Sequence, residues 1–182
     1  VIPTDWKTYR DNTYGFEFRY PSYITWKDGS NYDGKNGLVK GEVLKSISFR
    51  KGGSYTEGIS LLVLNSNRVA VYSGEWKIYD GVLKQWFSTG ATNVDPSVLD
   101  KKAPYAPTES DLKTIQNLSI YGGGYGDAGA SQNHLLILSP KGGIVLDFIQ
   151  DASGEMVGME SDIPPTLGVD WLLMAQSVKI MD

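Results

Sequence analysis

The chain is expected to fold as an α+β domain in which a mainly antiparallel sheet carries helices on both faces. Three observations predict it. Several stretches alternate apolar and polar residues with period two, the mark of a half-buried strand. Others, such as Ile59 to Leu64, are apolar almost continuously, as strands covered on both sides are. Two further stretches, 80–90 and 167–175, repeat their apolar residues at helical spacing. With 182 residues, 20.0 kDa and 41% hydrophobic content, the chain fits one domain spanning 1–182.

Trp6 to Pro21 anchors the order of elements. Phe16, Phe18 and Tyr20 share one face of an extended segment, and Glu17 and Arg19 share the other. Gly15 and Pro21 punctuate its ends, since glycine accepts turn conformations and proline cannot donate to a ladder. Ile24 and Trp26 continue the alternation into a second short strand. Residues 28–37, Asp-Gly-Ser-Asn-Tyr-Asp-Gly-Lys-Asn-Gly, have the composition of an exposed loop. Ile47 and Phe49 face away from Ser46, Ser48 and Arg50 in a strand that turns through 51–58 into the central run 59–64.

From Asp80 to Gly90, the spacing of Val82, Leu83, Trp86 and Phe87 predicts a helix capped by Asp80 and stopped by Gly90. Pro96, Pro104 and Pro107 make 91–108 a long surface loop. In Thr108 to Asn117, Thr108 and Asp111 would suit a short capped helix. Ile115, Leu118 and Ile120 favour a strand running into the glycine-rich 122–129, and the strand is the expectation. His134–Leu138 and Ile144–Ile149 flank Ser-Pro-Lys-Gly-Gly and read as a central β-hairpin. After the acidic 151–165, Leu167, Trp171, Met174 and Ala175 form one helical face, and Ser177 to Met181 an extended tail.

Both ends of the chain resemble PsbP-like domains. The motifs are Trp6-Lys-Thr-Tyr9, Tyr14-Gly-Phe-Glu-Phe18, Tyr20-Pro21 and Trp26 at the start, with a hairpin, a helix and Ser177-Val-Lys-Ile180 at the end. The tail has Val and Ile where that family has aromatics, and residues 28–130 agree only in the order of elements. The resemblance implies a single α/β/α sandwich domain. In bacterial members it also implies a setting outside the cytoplasm, at the cell surface or in the periplasm, behind a signal, lipid or transmembrane anchor. The chain begins at Val1, so the expectation is the exported part of a longer precursor whose N-terminal segment has been removed. No motif carries over a partner-binding residue, and fold alone transfers no task.

Composition narrows the function classes. A net charge of −4 gives no electrostatic reason to bind nucleic acid. No apolar run approaches the roughly 20 residues needed to span a bilayer, so membrane association is expected only through a segment outside this chain. Cysteine is absent, which removes disulfides, thiolate metal sites and a cysteine nucleophile. Residues 1–51 carry nine basic and six acidic side chains, whereas 142–182 carry seven acidic ones and Lys179 alone, a polarity that a partner can read.

Candidate chemistry is sparse. His134 is the single histidine, so a Ser/His-type hydrolase would pair it with Ser131 or Ser139 and with Asp147 or Asp127, without a Gly-x-Ser-x-Gly elbow. Ser110-Asp-Leu-Lys113 fits Ser-x-x-Lys but lacks companion motifs. Calcium would draw on Asp28, Asn31 and Asp33, with Ser30 and Asn36 nearby, in an order that is not that of an EF-hand. Gly122-Gly-Gly-Tyr-Gly126 lacks the Lys-Ser/Thr and following helix of a phosphate loop. Tyr121 and Tyr125, with Tyr32, Tyr55, Tyr72 and Tyr105, offer stacking area for a sugar or protein. Asp151 and Glu155, with Glu160 and Asp162, offer charge to a cation or a basic partner. The reading is a non-enzymatic extracytoplasmic module that binds or assembles with another protein, with no cofactor and no catalytic residues. The alternatives are a surface adhesion domain that binds carbohydrate or calcium, and the His134 hydrolase.

Overall fold

A computed structural model of the protein describes residues 1–30, 32–35, 37–51, 57–92, 100–122, 130–153 and 165–181. The aromatic stretch at the start forms β1 (Lys7–Asp11) and β2 (Phe16–Tyr20), an antiparallel pair. Gly15, at φ 67°, makes the turn between them, and its amide donates to the Asp11 carbonyl at 3.0 Å. β3 (Ile24–Asp28) follows and pairs with β4 (Val39–Lys51), which pairs in turn with the long β5 (Glu57–Tyr72). β6 (Trp76–Asp80), β7 (Gln85–Ser88) and β8 (Ala103–Tyr105) extend the sheet from the second half of β5. α1 (Glu109–Gln116) then leads directly into β9 (Asn117–Gly122). β10 (Ala130–Leu138) and β11 (Ile144–Ser153) form the expected hairpin, and α2 (Pro165–Gln176) precedes β12 (Lys179–Ile180).

The large sheet runs β8-β7-β6-β5-β11-β10-β9, with β4 also on β5, and every pairing in it is antiparallel. Alternation along β5 shows why its run is apolar throughout. Ile59, Leu61 and Val63 enter one core with Ile47, Phe49, Leu146 and Phe148. Leu62 and Leu64 enter a second core on the other face with Val145, Ile149 and Leu136. α2 and the small sheet β1-β2-β12 cover the first face through Trp171, Met174, Phe16 and Phe18. The Trp171 indole N–H donates to the Phe148 carbonyl at 3.0 Å. α1 covers the second face through Ile115. Helices therefore lie on both faces of a mainly antiparallel sheet, the α+β class expected.

Two expectations are overturned. Residues 80–90 are not a helix but the β6–β7 hairpin. Trp86 and Phe87 are buried as predicted, whereas Val82 and Leu83 stand 74% and 61% exposed at its tip. Thr108 to Gln116 is not a strand: the strand begins only at Asn117, and the segment before it takes the capped-helix alternative. The loop 91–108 also contains β8 at its end.

Candidate functional site

The margin where β3 meets β1 gathers exposed aromatics over a fixed base. Tyr9 stacks on Phe18 at 5.2 Å between ring centroids, and Phe18 meets Phe49 and Phe148 edge-on at 5.6 and 5.2 Å. Trp26 continues that row outward, edge-on to Tyr9 at 5.0 Å, yet it remains 43% exposed. Tyr23, 49% exposed, donates its hydroxyl to the Asp170 carboxylate of α2. Partial burial, then Asp170, pushes the Tyr23 phenol up to about 12, so it stays protonated as a donor.

Charge beneath this margin is neutralised. Asp11 is buried and accepts the amides of Thr13 and Tyr14 at 2.9 and 3.0 Å. Lys45 reaches its other oxygen at 2.8 Å, approaches Asp28 at 3.8 Å and lies 5.7 Å from the Tyr9 ring centroid. Burial alone would raise the Asp11 carboxyl, but Lys45 and the two amides outweigh it and hold the group below the usual aspartate value. The Lys45 ammonium is held above the usual lysine range, first by its bond to Asp11. β3 pairs with β4 and, among the described residues, with no other strand, so one edge of it is open. An open strand edge with rigidly backed tryptophan and tyrosine is equipped to receive another chain.

His134 and Asp147 do come together. Both lie in the sheet face of the second core, 2% and 1% exposed, with the ring Nδ1 at 3.1 and 3.0 Å from the two carboxylate oxygens. Nδ1–H therefore donates to Asp147, and the buried Nε2 has no hydrogen-bond partner among the described residues. Ser139 is five residues along, about 17 Å of extended strand, and its Oγ accepts the Lys141 amide at 3.3 Å. The Ser131 side chain and Asp127 lie outside the described residues. The pair ties β10 to β11 inside the core.

The remaining candidates are dispersed. Asp28 faces Lys45, Asp33 accepts the Lys35 amide at 2.9 Å, and Asn31 lies outside the described residues. Among the described residues, no three His, Cys, Asp or Glu side chains come together as a metal set. Ser110 and Lys113 lie in α1, where Lys113 pairs with Glu109 at 3.4 Å. Tyr32, Tyr72 and Tyr105 are each half-buried against apolar neighbours. The side chains of Tyr121 and Asp151, and all of Tyr55, Tyr125 and Glu155, lie outside the described residues. Tyr23 and the exposure of Trp26 escape a reading by periodicity, which places Trp26 with Ile24 but does not show that β3 is an edge.

No family model matches the chain, and no curated protein matches it in sequence. Among solved structures, it is similar to the solution structure of cyanobacterial PsbP (CyanoP) from Synechocystis sp. PCC 6803. The similarity covers 99% of this chain and 95% of that one, at 14% identity and a TM-score of 0.38. At those values the likeness carries no argument about activity or partner.

Proposed function

We propose that the protein is a non-enzymatic binding or assembly module that contacts another protein through the open edge of β3. The observation that carries the proposal is the exposure of Trp26, 43%, on a strand with one open edge, and of Tyr23, 49%, in the turn just before that strand. Tryptophan and tyrosine dominate the energetics of protein contacts because they bury large area at little entropic cost. Here Tyr9 fixes Trp26 from behind and Asp170 fixes Tyr23, so little ordering remains to oppose binding. A setting outside the cytoplasm belongs to the same proposal and rests on the sequence motifs of the two ends.

The test is site-specific photo-cross-linking in intact cells from a reactive residue at Lys27, with a second at Lys102 as control. A discrete adduct at 27 but not at 102, reduced about thirtyfold by Trp26→Ala, is expected of a contact worth about 2 kcal/mol. Equal adducts at both positions, or adducts indifferent to Trp26→Ala, would sink the proposal.

A further inference from the structure

A second opening lies at the other margin of the sheet. β10 pairs with β11 from Ala130 to Leu138, but its ladder with β9 ends at Leu135, because the chain before Asn117 is coiled into α1. Among the described residues, Leu136, Ile137 and Leu138 therefore run on with a strand on one side only. α1 and α2 lie on opposite faces of the sheet, and their C-terminal turns flank this stretch. Between them a cavity of about 510 Å³ opens, floored by β10 and rimmed by Lys113, Gln116 and Gln176.

We propose that this slot receives an extended segment of a partner protein, which takes the β9-side place beside Leu136–Leu138 as an added strand. The proposal rests on the protein-binding reading above but stands on different residues. Three features select a peptide. The first is the vacant ladder position itself, since a strand running past the end of its neighbour presents main-chain groups that only another extended backbone matches residue by residue. The second is the chemistry of the rim, where Gln116 and Gln176 supply neutral amides from the two helices, each able to donate and accept as a peptide group does. A hydrocarbon chain would leave those amides unused, and a phosphate would find one cation. The third is the floor, where Ile137 and Leu138 are half-buried apolar side chains whose burial an incoming strand completes.

Lys113 sets the charge of the occupant. It is shared with Glu109 at 3.4 Å and remains exposed, so an acidic side chain at one end of the incoming segment would complete a three-membered network. The fitting sequence is three or four residues long, alternately apolar, with an aspartate or glutamate beside Lys113.

A random octapeptide phage library selected on the full chain, followed by NMR mapping of the enriched peptides, tests this. Enriched peptides are expected to alternate apolar residues around an acidic one, and to slow amide exchange at Leu138 at least tenfold. Gln176→Trp, an exposed position whose larger side chain fills the slot, should abolish binding. Lys113→Glu should weaken it at least fivefold. Failure to enrich any peptide, mapping to Tyr23 and Trp26 instead, or full displacement by decanoate would each overturn the proposal. Mapping to Tyr23 and Trp26 would do so while leaving the β3 contact standing, so the two failures are distinguishable.

Discussion

His134 and Asp147 depend on each other, because each is buried and each holds the other's hydrogen-bonding group. Replacing Asp147 with Ala would leave an imidazole with both nitrogens unpartnered in an apolar layer of Leu136, Val145 and Ile149. Leaving a buried hydrogen-bonding group without its partner costs about 1 to 3 kcal/mol, so urea unfolding of Asp147→Ala should show a loss in that range. A loss below about 1 kcal/mol would mean that the pair is solvated and free for other work. This pairing was partly legible, since the Ser139–Gly143 turn folds β10 back on β11 and brings 134 close to 147 in register. The environment of Trp26 was not legible, because alternation assigns residues to faces and carries no information on whether a further strand lies beside them.

The element most plainly misread, residues 80–90, shows how one local interaction serves two structures. Asp80 Oδ1 accepts the amides of Val82 and Leu83 at 2.9 and 3.0 Å, which is what a helix cap does. The chain then reverses instead of coiling. Gly81 packs against Ser66 so closely that a Cβ there would overlap the serine, and Lys84 takes a left-handed φ of 52°. The close approach to Gly81 comes from Ser66 in β5, outside the 80–90 stretch, and no local spacing reveals it. In α1 the cap decides the outcome. Thr108 Oγ1 accepts the Asp111 amide at 3.1 Å, and Asp111 accepts the Thr108 amide at 3.0 Å, a reciprocal box with Asp in place of Glu. Thr108→Ala should cost about 1 kcal/mol by thermal unfolding, with Thr108→Ser recovering most of it. An unchanged melting temperature would show that Ile115, held in the second core, places this helix without help from its cap.

Across the whole molecule, the two stretches that made the ends legible as a pair are brought into one small sheet. β12 pairs with β2 through Lys179↔Glu17 and Ile180↔Phe16, and Met181 donates its amide to the Gly15 carbonyl at 2.7 Å. Ser177 Oγ accepts the Arg19 amide at 2.7 Å across 158 residues of sequence. This sheet covers the first core, but α2 is anchored independently by the Trp171 indole on Phe148. The closure is therefore an outer layer added to a core that β5, β10 and β11 already define. Deleting residues 177–182 should speed amide exchange across Phe16–Arg19, because β2 loses one of its two partners. Exchange across Leu61–Leu64 and Leu146–Phe148 should change far less, since those strands keep partners on both sides. If all three regions sped up alike, the small sheet and the large one would be a single cooperative unit, and the terminal strand would be holding the whole core together.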